Sequence, residues 1–183
     1  MFDVDAFTAD CCAAVTADPT HKSIREAVAR AVADPAAVLR ALGEPTRAGQ
    51  QILYRSTELT ILNIVWGPRM SIMPHNHTMW AVLGIYGGGE DNIFWRRRSD
   101  GGGLEAAGAR SLRTGDVDAL GVDVIHSVLN PLDRLTGAIH VYGGDFVAAE
   151  RSEWDPERLN EGRFDRAKVQ RLFDAANHSL AQA

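Results

Sequence analysis

The sequence predicts an all-β fold, an antiparallel sandwich or barrel, with helical segments at both ends. Three observations lead there. The hydrophobic period changes to two from about Gln51. Residues 50–150 break into short apolar runs separated by Gly, Asp, Asn and Pro. Residues 1–48 and 156–182 keep a helical pattern. Many short strands between turn residues pack as two facing sheets or one closed sheet, and a single domain of 183 residues is long enough to bury a full core.

At the N-terminal end, Ile24, Val28 and Val32 recur every four residues and share one helix face. Ser23 followed by Glu26 has the form of a capping box. Asp34-Pro35 interrupts the pattern; Pro35 suits the first turn of a second short helix, which Gly43 and Pro45 end. "ILYRSTELTILNIVW" then reads as two strands around a tight turn at Ser56-Thr57-Glu58. "HTMWAVLGIYGG" and "EDNIFWRRR" follow as strands about the glycines at 87–89. Those glycines precede a strand, whereas a phosphate-cradling loop needs a helix. Arg96-Arg97-Arg98, just before "SDGGG", reads as the solvated end of a hairpin. "ARSLRTGDVDALG", "VDVIHSVLNP" and "LTGAIHVYGGDFVAA" complete the β region, and the tail returns to a helical pattern with Phe164, Val169, Leu172 and Phe173 as packing residues.

A net charge of −5 argues against a nucleic-acid or anionic-membrane partner. No apolar run approaches the roughly 20 residues of a membrane helix, and "MFDVDAFTADCCAAV" carries acids where a secretory signal carries Lys or Arg. The expected location is the cytoplasm. Cys11 and Cys12 are adjacent, which makes neither a disulfide framework nor a zinc site; they read as small residues of a helix. No pattern in the helical ends fixes an oligomeric state.

Of six histidines, His21 and His178 fall in the helical ends and carry no assigned role. His75 and His77 are two apart, so on a strand they point to one face and can bind one ion. Pro74 before them suits a strand's first residue. His126 ends the run "GDVDALGVDVIH", with Asn130 four residues on. This combination of His-x-His, about fifty residues, a Gly-rich turn and His-x-x-x-Asn resembles the two-motif signature of the cupin superfamily over about residues 50–150. Gly121-Val122-Asp123 replaces the family's Pro-x-Gly. The resemblance implies a double-stranded β-helix, a jelly-roll barrel, in which His75, His77 and His126 hold one metal.

The family's usual Glu, four or five residues past the second histidine, is missing: Ala81 and Val82 stand there. Glu90 and Asp91 come after the glycine turn and read as solvated. Two histidines and a carboxylate are a common set for non-haem iron. Three neutral imidazoles leave the ion its full charge and favour an anionic ligand such as a thiolate, although they suit Zn(II) equally.

"AIHVYGG" places His140 and Tyr142 on one strand face. With three histidines at a metal, this segment resembles the thiol dioxygenases, the cysteine dioxygenase family of cupins, whose pattern is Ser-x-His-x-Tyr. Ala138 stands where that Ser should be, and Val82 where animal members carry a cross-linked cysteine. The resemblance implies an Fe(II) enzyme that adds both atoms of O2 to the sulfur of a small thiol, such as cysteine or mercaptopropionate, to give a sulfinate. His140 and Tyr142 would orient the oxygen, and Arg55 would anchor a substrate carboxylate through its bidentate fork; Arg69 is a second candidate. Trp80 is expected on the face away from the metal, in the core or an interface. Two alternatives stay open: a lyase or isomerase using Zn, Mn or Ni at the same histidines, and a cupin that binds a metabolite without turnover.

Overall fold

The computed structural model describes residues 2–18 and 20–182. Three helices come first, α1 (Val4–Ala17), α2 (His21–Val32) and α3 (Pro35–Leu42). The strands β1 (Gly49–Arg55), β2 (Thr60–Trp66), β3 (Ser71–Asn76), β4 (Ala81–Gly87), β5 (Gly89–Arg97) and β6 (Leu104–Arg113) follow. After them come β7 (Val117–Leu120), β8 (Ile125–Leu129), β9 (Thr136–Tyr142), β10 (Ser152–Trp154), β11 (Glu161–Arg163) and α4 (Arg166–Leu180).

The strands form two sheets, ordered β1-β2-β9-β4-β7 and β11-β10-β3-β8-β5-β6, with antiparallel pairing throughout. From β2 to β9 the chain passes back and forth between them, and only the β5–β6 hairpin stays within one sheet. This is the winding of a double-stranded β-helix, laid out as two separately hydrogen-bonded sheets rather than one closed barrel.

β2, β4 and β9 are buried almost end to end, because both of their faces are covered. Leu62, Ile64, Leu83, Ile85 and Ala138 face the space between the sheets. Ile61, Val82, Ile139 and Val141 pack against Ile24, Val28 and Val32 of α2 and Phe7 and Cys11 of α1. The apolar stripe read from the sequence is therefore the docking face of α2, and both cysteines are free residues of α1.

Several boundaries depart from the sequence reading. Thr20, not Ser23, caps α2, its hydroxyl accepting from Lys22 N. Pro74 lies inside β3 rather than at its start; the register slips between Ile72 and His75, so no ladder donor is needed there. Residues 156–163, read as helix, belong instead to the β10–β11 hairpin, and α4 begins only after Asp165, whose side chain accepts from Ala167 N. Val169 and Phe173 of α4 then pack into the main core beside Trp66. Asn130 is buried in the turn after β8, where its amide donates to Gly67 O and Arg134 O at 2.8 Å and its oxygen accepts from Thr136. Among the described residues no helix is long and apolar enough to cross a membrane.

Gly84 marks the tightest approach of α2 to the sheet: a Cβ there would lie 2.4 Å from Val28 Cγ1 and 2.9 Å from Val32 Cγ1. Both valines are fully buried and short, so they have little room to yield. Gly84→Ala is expected to destabilise the fold by about 1–3 kcal/mol in chemical denaturation. Gly87→Ala, with nothing within 4 Å of its Cβ position, should leave the midpoint nearly unchanged.

Candidate metal centre

His75 of β3 and His126 of β8 are direct cross-strand partners, so their side chains leave the sheet on the same side. His77 stands one residue past the end of β3, where Thr78 at φ 59° turns the chain away. His77 Nε2 lies 3.3 Å from His75 Nε2 and 3.1 Å from His126 Nε2, and one ligand atom from each of the three falls within 4.8 Å of the others. All three rings are buried.

Partners behind the rings set their orientation. His75 Nδ1 donates to Met73 O at 3.0 Å and His126 Nδ1 to Asn92 Oδ1 at 2.7 Å. With Nδ1 protonated, each ring turns a bare Nε2 lone pair toward the other histidines. Burial is the main cause that holds all three imidazoles below their ordinary pKa, His75 at about 4; neighbouring rings push the same way, and Arg151 does so for His75 and His77. Three neutral nitrogens thus converge on one point. At most one can satisfy its neighbours as a donor, and the remaining lone pairs face each other, an arrangement a cation relieves. The donor set fits a metal ion.

His140 and Tyr142 come from β9 in the opposite sheet and line the same cavity of about 260 Å³. The Tyr142 hydroxyl is 3.1 Å from His140 Nδ1. Its ring meets His77 edge-on at 5.1 Å and stacks on Phe146 at 3.8 Å. Burial pushes the Tyr142 hydroxyl above its ordinary pKa. Apolar walls come from Leu62, Ile64, Ile72 and Val128, and α4 with the segment before it supplies Phe164, Arg166, Val169 and Gln170. Among the described residues no Asp or Glu lines the cavity.

Two sequence expectations change. Arg55 does not line the cavity: at the end of the edge strand β1 it makes a bidentate pair with Asp145, both contacts 2.9 Å, in a half-exposed position. Arg69 is likewise exposed and paired with Asp133. The buried guanidinium at the cavity is that of Arg151, which the sequence reading missed; the exposed Arg166 also lines it. Arg151 is 7 % exposed and sandwiched between Phe146 at 3.9 Å and Phe164 at 4.0 Å, and its Nε and Nη1 have no hydrogen-bond partner among the described residues. Burial lowers its pKa to about 10, so it remains a cation at neutral pH.

Glu90, expected in solvent, is fully buried. Its carboxylate accepts from Trp66 Nε1 at 2.7 Å and Asn92 Nδ2 at 2.9 Å, and Oε2 lies 3.4 Å from His140 Nε2. Burial raises its pKa, but the His140, Asn92 and Trp66 contacts outweigh it and hold the group below the usual carboxylate range. In β5, Glu90 and Asn92 point inward while Ile93 is exposed, which inverts the pattern that polarity alone suggests. Trp80 packs with the helix-side cluster, away from the histidines.

No known protein-family profile matches the sequence. Among solved structures, the chain is similar to an RmlC-like cupin with a double-stranded β-helix fold from Methanocaldococcus jannaschii, at 12% identity over 57% of this chain and 87% of that one, TM-score 0.48. A protein with a double-stranded β-helix domain from Klebsiella pneumoniae matches at 11% identity over 60% and 81%, TM-score 0.47. A DMSP lyase from Ruegeria pomeroyi matches at 18% identity over 61% and 53%, TM-score 0.47.

Without metal, each of the three imidazoles binds its proton at lower pH in the folded than in the unfolded chain, where the pKa is about 6.5. Below that value the unfolded state takes up more protons, so folding stability is complete above about pH 6.5 and falls with decreasing pH, for His75 until its folded pKa of about 4. Each group removes up to about 1.4 kcal/mol per pH unit in this window. Denaturation of metal-free protein should show a steep loss between about pH 6.5 and pH 5, with a smaller slope in His126→Asn; a flat profile would contradict buried neutral imidazoles.

Proposed function

We propose that the chain is an Fe(II)-dependent dioxygenase acting in the cytoplasm on a small thiol that also carries an acid group, with His75, His77 and His126 as the residues that would hold the ion. Charge carries this reading: the cavity gathers three neutral donor nitrogens and one unpaired guanidinium, and no carboxylate lines it. A dipositive ion bound there would supply the Lewis-acid and redox chemistry. A thiolate and a carboxylate on one small molecule match the two positive centres. The overall reaction, R–S⁻ + O2 → R–SO2⁻, places both oxygens on sulfur, which loses the four electrons that O2 gains.

The residues of the chain bind, orient and protect. Two adjacent donors of the Arg151 guanidinium, Nε with Nη2 or Nη1 with Nη2, form the rigid fork that grips a carboxylate with two parallel hydrogen bonds, and its Nε and Nη1 are without a partner among the described residues. The Phe146 and Phe164 rings hold that fork from both sides. Aliphatic walls from β2, β3 and β8 keep water from the reacting sulfur. The Tyr142 hydroxyl, hydrogen-bonded to His140, offers a place to hold or pass a proton beside His77. A thiol bearing an ammonium group finds no counter-charge on this lining, so mercapto acids should be preferred over amino thiols. The donor set also suits Zn(II), which supports a second reading as a lyase or isomerase with Tyr142 or His140 as base.

The test is oxygen uptake and sulfinate formation by iron-reconstituted protein across mercapto acids and amino thiols, in parallel with zinc-substituted protein. Activity is expected to follow iron content and to vanish in His126→Ala. Arg151→Ala should raise KM for mercapto acids by about 10- to 100-fold, the worth of a charge-assisted pair, with a smaller change in kcat. Full turnover with zinc, or none of the thiols consumed with iron, overturns the dioxygenase reading.

A further inference from the structure

Glu90 is a buried carboxylate beside this site that none of the chemistry above uses. It does not line the cavity, yet it stands behind two residues that do. Through Asn92, whose Nδ2 donates to Glu90 at 2.9 Å and whose Oδ1 accepts from His126, it backs the β8 histidine. Its Oε2 lies 3.4 Å from His140 Nε2, close but not aligned as a hydrogen bond, and that nitrogen has no hydrogen-bond partner among the described residues.

We propose that Glu90 is a positioning residue for Tyr142, acting through His140: it holds the imidazole in the tautomer with hydrogen on Nε2, so that Nδ1 is left to accept the Tyr142 hydroxyl proton. The inference rests on His140 and Tyr142 serving the site proposed above. Trp66 and Asn92 are both donors to the Glu90 carboxylate, and two donors are best met by its ionised form. An ionised carboxylate beside Nε2 favours a proton on that nitrogen. The ring then has one acceptor left, Nδ1, and the Tyr142 oxygen sits 3.1 Å from it. A carboxylate fixing the tautomer of a histidine that in turn serves a hydroxyl is the logic of a hydrolase triad, here ending on a phenol. Ala138, two residues before His140 on the same strand face, offers no polar atom to do this. The orienting group comes instead from β5 in the other sheet.

The tautomer can be read directly by nitrogen NMR of the histidine side chains in metal-free, thiol-free protein, with His140 assigned by comparison with His140→Gln. In the wild type His140 should favour Nε2–H by at least about tenfold, the weight of a charge-assisted contact. Glu90→Gln, which removes the charge at nearly constant shape, should cut that ratio by about tenfold, whereas Tyr142→Phe should leave Nε2–H dominant. A wild-type His140 protonated on Nδ1, or a folded Glu90→Gln with an unchanged ratio, overturns the inference. Should Glu90→Gln not fold, the wild-type tautomer and Tyr142→Phe decide it. Because no metal or thiol is present, a failed oxygen-uptake assay with the expected tautomers refutes the reaction and leaves the Glu90 assignment standing.

Discussion

Three imidazoles meet in a space between two sheets, and each of their nitrogens has to be neutral and aimed for the sandwich to close. A buried donor or acceptor without a partner costs about 1–3 kcal/mol, and an unpaired charge more. The chain meets this from behind the rings. Met73 O takes the proton of His75, Asn92 takes that of His126, and Glu90 with Trp66 fixes Asn92 in turn. The inner nitrogens are then unsatisfied by protein and available to an ion. The pairing of β3 with β8, which sets His75 opposite His126, is the backbone expression of the same requirement.

The opposite sheet answers to a different constraint. β2, β4 and β9 carry apolar residues on both faces, one toward the cavity and one toward α1 and α2. Covering the outer face makes these central strands a rigid floor, on which His140 and Tyr142 are held two residues apart and fully inside. The helices are thus far from the histidines and still bear on the site, since Gly84 lets α2 sit directly on β4, the neighbour of β9. At the other end α4 closes the cavity with side chains, while the ion pair of Lys168 with Glu153 at 2.7 Å ties it to β10, beside His75.

Strand period reveals which residues share a face, and it does so well here. His75 with His77, and His140 with Tyr142, were legible for that reason, as were the α2 stripe and the turn at Ser56-Thr57-Glu58. Period does not say which face is inward when polar and apolar residues trade places. Glu90 and Asn92 alternate with Asp91 and Ile93, and polarity assigns the acid to water, yet the acid is inside and the isoleucine outside. Nor does it locate a side chain in an irregular segment. Arg151 follows the turns after Tyr142, and two phenylalanines, one five residues before it and one thirteen after, hold it at the cavity. Arg55 had the regular strand and the plausible spacing, but Asp145 is within its reach and takes its fork.

That exchange of arginines follows from a general asymmetry. A half-exposed Arg–Asp pair such as Arg55–Asp145 holds its geometry at little cost and is worth little. Arg151 is the opposite case: most of its water is gone, two of its donors are idle, and only ring faces compensate. Left in this state it lowers the stability of the folded chain. A small anion gripped by one edge of the guanidinium would meet one of the idle donors together with Nη2, in surroundings where screening is weak and the contact correspondingly strong. The uncompensated cation therefore asks for an anion and the uncapped nitrogens of the three histidines for a cation, at two points of one cavity.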